Sequence, residues 1–383
     1  MYKAFGDLKV LDFSTTIAGP YCARLLADLG ADVFKIESPD GDVMRARPPL
    51  RNGASSAFGQ LNAGKKSLSI DLKKPAAIDA IHRLAERADV IVENFRPGVM
   101  KRLGLDYDAL KPINPRLIFC SMSGYGQTGP WAERPAYAPV IHAASGYDLA
   151  HMAYQQGRER PDFCGVFHAD VVSGVYAFSA ISAALYQRER TGCGQHIDVS
   201  MLESMLSLTL NELQWSQFPV EKPTRPMFGP METKDGYVMV AVVTEKAFRN
   251  FVTAAGRPDF ITDTRFAEYS KRRAHWDELM TELENWSRNL TRDECIAALE
   301  KHDVACSPYR TVAEALADEQ IAHRDAMVEV TDAGGSFRAL NPPFRMSDAQ
   351  TRVGRHAPAL GEHTRAALKD AGLSHDEIKA IMG

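Results

Sequence analysis

The six cysteines, at positions 22, 120, 164, 193, 295 and 306, contain no Cys-x-x-Cys pair, and the eleven histidines show no His-Glu-x-x-His or His-x-x-x-His spacing. Those gaps argue against a disulfide framework, a zinc ribbon and a zincin-type centre, so no metal site is expected. No Gly-x-Gly-x-x-Gly fingerprint follows the first strand-like run, which speaks against a dinucleotide-dependent dehydrogenase. Charge of one sign is also lacking. A net charge of −4, with basic residues spread along the chain, gives no electrostatic case for nucleic acid or an anionic membrane. The apolar runs are broken by charge or glycine before the ~20 residues of a membrane span. The start, "MYKAFGDLKVLDF", has no basic, apolar and small-residue succession of a secretory signal, and a cytoplasmic location is expected. What is present is 383 residues, 45% hydrophobic and 25% charged, the composition of a globular chain of more than one domain.

The chain opens with a strand-like "LKVLDFS" (8–14). A helix announced by Gly19-Pro20 and ended at Gly30 follows, then a buried strand "ADVFKIE". Strand, helix and strand over about 30 residues make a βαβ unit and imply a parallel sheet. The pattern recurs in "KSLSIDL", the helix "PAAIDAIHRLAERA" opened by Pro75, "DVIVENF" and "RLIFCSMSGYG". Residues 1–130 therefore read as a Rossmann-like α/β layer, in which ligands gather beyond the carboxyl ends of the strands. "ENFRPG" and "SGYGQTGPW" stand at such ends. Residues 165–210 read as two apolar helices separated by "QRERTGCGQHIDVSM". "FPVEKPTRPMFGP" reads as a linker, and "METKDGYVMVAVV" as a hairpin turning at Asp235-Gly236. Charged amphipathic helices to about residue 320 then complete a smaller α+β unit. Strands return in "MVEVTDAGGSFRALNPPFRMS", and a helical end closes the chain.

One acid, Asp170, interrupts the apolar stretch "GVFHADVVSGVYAFSAISAAL" (165–185). Such a carboxylate must be paired, neutralised or used for chemistry. The plain reading is a helix N-cap, with Ser173 or Gly174 supplying the N3 amide. A carboxylate at a helix N-terminus also stays ionised and nucleophilic, so cap and nucleophile are compatible. His168 is a possible partner or a packed neutral imidazole. Cys164 and Cys193 flank the stretch, although free cysteine is more often a small buried hydrophobe.

The blocks "VLDFSTTIAGPYCARLLADLGADVFKIE", "LNAGKKSLSIDLKKP", "ADVIVENFRPGVMKRLGLDYDAL", "NPRLIFCSMSGYGQTGPW", "ADVVSGVYAFSAISAALYQRERTGCGQHIDVSM" and "PALGEHT" resemble the class III CoA-transferases, in order and almost end to end. The resemblance implies a two-domain α/β chain forming an interlocked, ring-like homodimer. Its large CoA-binding domain would span 1–200, completed by 330–383. A linker at 201–224, a small α+β domain at 225–320 and a return linker at 321–329 would follow. It implies an acyl-CoA:carboxylate CoA-transferase whose nucleophile is Asp170, with Gly174 completing the D-x-x-x-G block and Tyr137 as a second catalytic residue. Intermediates would be an aspartyl mixed anhydride and an aspartyl-CoA thioester. The resemblance also implies a CoA thioester bound as substrate, with no tightly held cofactor. The backbone of Ile70, Asp71, Leu72 and Lys73, together with Asn94, Phe95 and Arg102, would hold its adenine and ribose-phosphate end. Read singly, Phe95 could equally be core, and Lys73 or Arg102 plain surface.

Departures from the family pattern bear on specificity. Ile17 stands where formyl-CoA transferases carry a glutamine, and the glycine-rich loop of the second domain is reduced to "RPMFGPME" with Gly229. A CoA-contacting lysine is replaced by Pro135, with Arg134 adjacent. An acceptor carboxylate needs a cation, and Arg45, Arg47 and Arg134 are candidates. Succinyl-CoA with a small dicarboxylate fits better than formate. The alternative is an α-methylacyl-CoA racemase-type isomerase of the same fold, which pairs the aspartate with a histidine. Tyr137 stands at that histidine's place, and His142 lies five positions later.

Overall fold

The computed structural model describes residues 2–155, 157–219 and 228–382. The chain divides into two compact units, Met1–Pro219 with Ala322–Gly383, and Val220–Ile321. The first is built on six parallel strands: β1 (Lys9–Asp12), β2 (Asp32–Glu37), β3 (Lys66–Ser69), β4 (Val90–Glu93), β5 (Ile118–Ser123) and β6 (His196–Ser200). Their order across the sheet is β3-β2-β1-β4-β5-β6. Every residue of β4 and β5 is buried, as a parallel sheet covered on both faces requires.

The helices used below are α1 (Ala18–Asp28), α2 (Pro75–Ala85), α3 (Ala138–Ala144) and α4 (His168–Thr191). On one face of the sheet Leu11, Ile36, Leu68, Ile91 and Phe119 meet Ile81 of α2, together with Leu368 and Ile378 from the C-terminal helices Thr364–Asp370 and His375–Met382. On the other face Val10, Val33, Val92 and Ile118 meet Leu26 of α1 and Ile181 of α4. The return of the C-terminal segment to the first unit is thus part of its core. Strand order reverses between β1 and β4, and the crevice beyond their carboxyl ends is where such folds take ligands.

The second unit has an antiparallel sheet in which Gly236–Ala241 lies between Phe228–Thr233 and Cys306–Pro308. Phe248, Phe251, Trp276, Leu279 and Leu283 form its own core. Thr291 and Glu294 make a reciprocal capping box at the start of Arg292–Glu300.

Three details differ from the sequence reading. The hairpin turns on Lys234 and Asp235, because Gly236 already pairs with Thr233. Residues 201–219, expected as linker, carry the short helices Met201–Leu206 and Leu210–Trp215, while 220–224 lie outside the described residues. "HIDVS", read as a separator, is the edge strand β6; its two charged or titratable side chains masked the pattern. α4 runs 24 residues straight through Gly174. By length and composition alone α4 could cross a membrane, the one such helix among the described residues. Its Ala169, Ser173, Ala177 and Ile181 side is buried.

Candidate active site

Asp170 is not the cap of its own helix. Phe167 holds the N-cap position of α4 without a side-chain bond, and Asp170 is the third helical residue. The Ala169 amide, which a cap would satisfy, donates instead to Nε2 of His142 at 3.2 Å. His142 is a buried residue of α3, and the spacing from Tyr137 gave no hint of this role.

The Asp170 carboxylate faces a different helix. Burial pushes its pKa up to about 6, and the backbone N–H of Ala18 opposes that rise by bonding to it. Ala18 is the first residue of α1, whose own N-cap, Ile17, supplies no side-chain bond. The open amide and the positive end of the α1 dipole therefore meet the carboxylate. Gly174 makes the approach possible. A Cβ at that position would stand 2.8 Å from the Ala18 carbonyl oxygen and 3.1 Å from the Tyr21 ring. The D-x-x-x-G spacing has a plain meaning here: the glycine one turn below the aspartate is the notch that admits α1.

The approach to Ala18 is held under strain. Thr16 has φ of +70°, rare for a β-branched residue and costing about 1–3 kcal/mol. Its amide points at both Asp42 oxygens, 3.3 Å away. Asp42 is itself ion-paired to Lys35 at 2.9 Å, and Lys35 also donates to the Ser14 carbonyl at 2.8 Å. From across the switch point Asn94 clamps Thr15: its Oδ1 accepts the Thr15 amide and its Nδ2 donates to the Thr15 carbonyl, both at 2.8 Å. Behind the loop Lys65 donates to Asp12, the Pro20 carbonyl and Asn62 within 2.9 Å. Gly19 lies so close to Ser14 that a Cβ there would be 2.2 Å from the serine Cβ. Sequence reasoning missed this network. Its signal was Asp12 and Lys35, charged residues set directly beside the apolar residues of short buried strands.

The other expected residues fall as follows. Ile70 is buried in the core, its amide bonded to the Glu37 carbonyl at 2.8 Å. Leu72 and Phe95 pack against the same cluster, so the structure brings the two blocks onto one apolar surface. The Asp71 carboxylate accepts the Lys73 amide at 3.1 Å, and Lys73 and Arg102 are exposed. Arg134 is exposed over the Trp131 ring at 4.2 Å. Tyr137 is 70% exposed and occupies the N-cap position of α3, whose His142 touches the start of α4. Asn94 spends its side chain on Thr15, a positioning task that the sequence did not suggest. Arg45 is no free cation: it grips Glu37 through two bonds of 2.7 Å. Arg47 is exposed and makes no ion pair among the described residues. Gly229 lies in the strand Phe228–Thr233, and 225–227 are outside the described residues.

His142, Cys164 and His168 place possible metal-ligating atoms within 4.8 Å of one another. His142 commits its Nε2 lone pair to the Ala169 amide, so Nδ1 carries the ring proton. The triangle thus lacks one free ligand nitrogen and serves as helix cap and packing.

This architecture has close parallels. The family model described as CoA-transferase family III matches residues 5–364. An acetyl-CoA:oxalate CoA-transferase from Acetobacter aceti is 35% identical, over 96% of this chain and 95% of its own. A succinate–glutarate CoA-transferase from Agrobacterium fabrum is 32% identical, over 95% and 94%. The crystal structure of a CAIB/BAIF family protein from Brucella suis superposes with a TM-score of 0.84 at 34% identity, covering 97% of this chain and all of that one, 100%. The chain belongs to CoA-transferase family III. Its enzyme class is acyl-CoA:carboxylate CoA-transferase, and the racemase alternative is not favoured.

The notch at Gly174 gives a first prediction. Alanine in a helix gains about 0.5–1 kcal/mol over glycine. Here the new methyl meets a backbone carbonyl at 2.8 Å, and overpacking of that kind costs about 1–3 kcal/mol. Gly174→Ala is expected to lose stability by about 1 kcal/mol net and activity by about 10- to 100-fold, since a shift of α1 moves Ala18 from Asp170. Thermal denaturation and steady-state turnover of the variant check both numbers.

Proposed function

We propose that this enzyme moves CoA from an acyl-CoA to a carboxylic acid through covalent intermediates on Asp170. The observation that supports it best is the half-buried carboxylate held against the open N-terminus of α1. Asp170 attacks the thioester carbonyl and expels CoA thiolate, leaving a mixed anhydride. The thiolate attacks the Asp170 carbonyl, releasing the donor acid and forming an aspartyl-CoA thioester. The acceptor carboxylate attacks that thioester, giving a second anhydride and thiolate. Thiolate attack on the acceptor's acyl carbon then yields the new acyl-CoA and restores Asp170. Each step exchanges one acyl oxygen or sulfur bond for another, so no cofactor is consumed. The Ala18 amide and the α1 dipole stabilise the negative charge that develops beside Asp170.

In this reading Ile70 to Lys73 and Phe95 line the nucleotide end of CoA, with Lys73, Arg102 and Arg134 available to its phosphates. Asn94 acts by holding Thr15, and Tyr137 borders the reacting acyl group. Ile17, packed beside Met44, Phe58 and Leu61, makes the wall of the acyl site apolar. Such a wall does not select formate, and the pairing proposed is a succinyl-CoA donor with a small dicarboxylate acceptor, the kind of substrate named for the Agrobacterium relative. An interlocked homodimer would cover the exposed apolar residues Val171, Val175, Tyr176 and Tyr186 along α4.

The test is mass spectrometry of protein incubated with succinyl-CoA. The expected result is a CoA-sized adduct on the peptide that holds Asp170, absent from Asp170→Ala and discharged by hydroxylamine. Turnover without any adduct on that peptide would overturn the covalent route.

A further inference from the structure

Glu93, a residue only 3% exposed, ends β4, and no step above uses it. Its Oε2 accepts the Phe95 amide at 2.9 Å. In the sheet register Glu93 lies beside Ser121 of β5, which lies beside Asp198 of β6. The Ser121 hydroxyl bonds to Glu93 and is 3.0 Å from Nε2 of His196, an exposed residue of β6 stacked on Tyr107 with ring centres 5.7 Å apart. A buried acid is thereby linked to solvent through one hydroxyl and one imidazole.

The chain has two consistent polarities. With Glu93 ionised, Ser121 donates to the carboxylate and His196 donates to Ser121. With Glu93 protonated, its O–H donates to Ser121 and Ser121 donates to His196. One proton reverses every bond and breaks no contact. We propose that Glu93 is a protonation-gated positioning residue, which exchanges its proton with solvent through Ser121 and His196 and so sets how firmly Phe95 and the loop after β4 are held for CoA. The proposal rests on the reading that Phe95 lines the CoA site. An ionised acceptor makes the stronger bond to the Phe95 amide, so the loop is held more firmly above the transition than below it.

Burial places that transition at about 7, with the Ser121 hydroxyl and Phe95 amide lowering it and Asp198 raising it. The groups facing Glu93 are Ser121, the Phe95 amide, Asp198 and the neighbouring Cys120 thiol. Those around His196 are Asp198, Asp108, Asp106 and Tyr107, and burial holds the imidazole below its ordinary value.

The test pairs two readouts across about pH 5.5 to about pH 8.5, a range bracketing that transition. The first is the amide nitrogen shift of Phe95 in the free enzyme, in wild type and Glu93→Gln. The second is KM for succinyl-CoA in both proteins, as a ratio, which cancels titration of the CoA phosphates. The Phe95 shift is expected to titrate with a midpoint near 7 in wild type only. The KM ratio is expected to change about fivefold across the range, as the difference between a charged and a neutral acceptor implies. Ser121→Ala should move the midpoint upward. A flat Phe95 shift in wild type overturns the proposal, and so does a titrating shift with a constant KM ratio. A titrating shift in a protein that no CoA thioester saturates marks a different failure, that of the CoA reading, and removes the positioning role with it.

Discussion

Asp170→Asn is expected to fold normally and to lose CoA transfer by about 10⁴-fold or more, the scale on which a missing nucleophile acts. Asparagine keeps the size of the side chain and an oxygen that accepts the Ala18 amide, so the contact between α1 and α4 persists. It cannot displace thiolate to form an anhydride. The loss should lie in kcat, with KM for the acyl-CoA little altered, because the residues proposed to hold CoA are elsewhere. Single-turnover kinetics with the donor thioester alone would show the defect at the first acyl step. Retention of a tenth of wild-type turnover in a purified, revertant-free variant would exclude Asp170 as the nucleophile. Comparison with Gly174→Ala separates chemistry from placement: that variant should still form the covalent adduct, only more slowly.

The parallel sheet was legible because its strands are short apolar runs bounded by glycine and proline, and α2 because Pro75 and its apolar face mark it out. Asp170 was legible as an isolated acid in an apolar stretch. Its actual partner was not, since the helix it serves lies about 150 residues upstream, and Gly174 reveals its purpose only when α1 is seen in the notch. The same limit hid His142. Its bond to the Ala169 amide spans 27 positions and needs the packing of α3 on α4 to exist. β6 escaped for a local reason: His196 and Asp198 alternate with Ile197 and Val199, and the polar half faces the Glu93 chain instead of a core. Charged residues misled in the other direction. Arg45 looked like a free cation, yet it fills the second coordination of Glu37 and stacks on Phe58 at 3.9 Å.

Asp12→Ala is expected to be the most destabilising of the substitutions considered, at about 3–5 kcal/mol. Both members of the Asp12–Lys65 pair have fully buried side chains, 2.8 Å apart. Burial draws the Lys65 ammonium down to about 8, and Asp12 is the largest influence holding it up. For Asp12 burial works toward the neutral acid, but Lys65 and Lys35 outweigh it and keep the carboxyl below its ordinary value. Removing the carboxylate leaves a fully buried ammonium with the Pro20 carbonyl and Asn62 as its remaining hydrogen-bond partners and no counter-charge bonded to it. The same substitution frees the Ser14 amide, which donates to Asp12 at 3.0 Å, and with it the strained turn that delivers Ala18 to Asp170. Stability and turnover should therefore fall together, unlike Asp170→Asn, where only turnover falls. The decisive comparison is Asp12→Ala with Lys65→Met in one protein. Replacing both charges by apolar groups removes the unpaired ion, so the double variant should regain at least half of the lost stability in urea denaturation. It should stay impaired in turnover, because the Ser14 bond is not restored. A double variant no more stable than Asp12→Ala would show that the pair's charge is not what holds the loop.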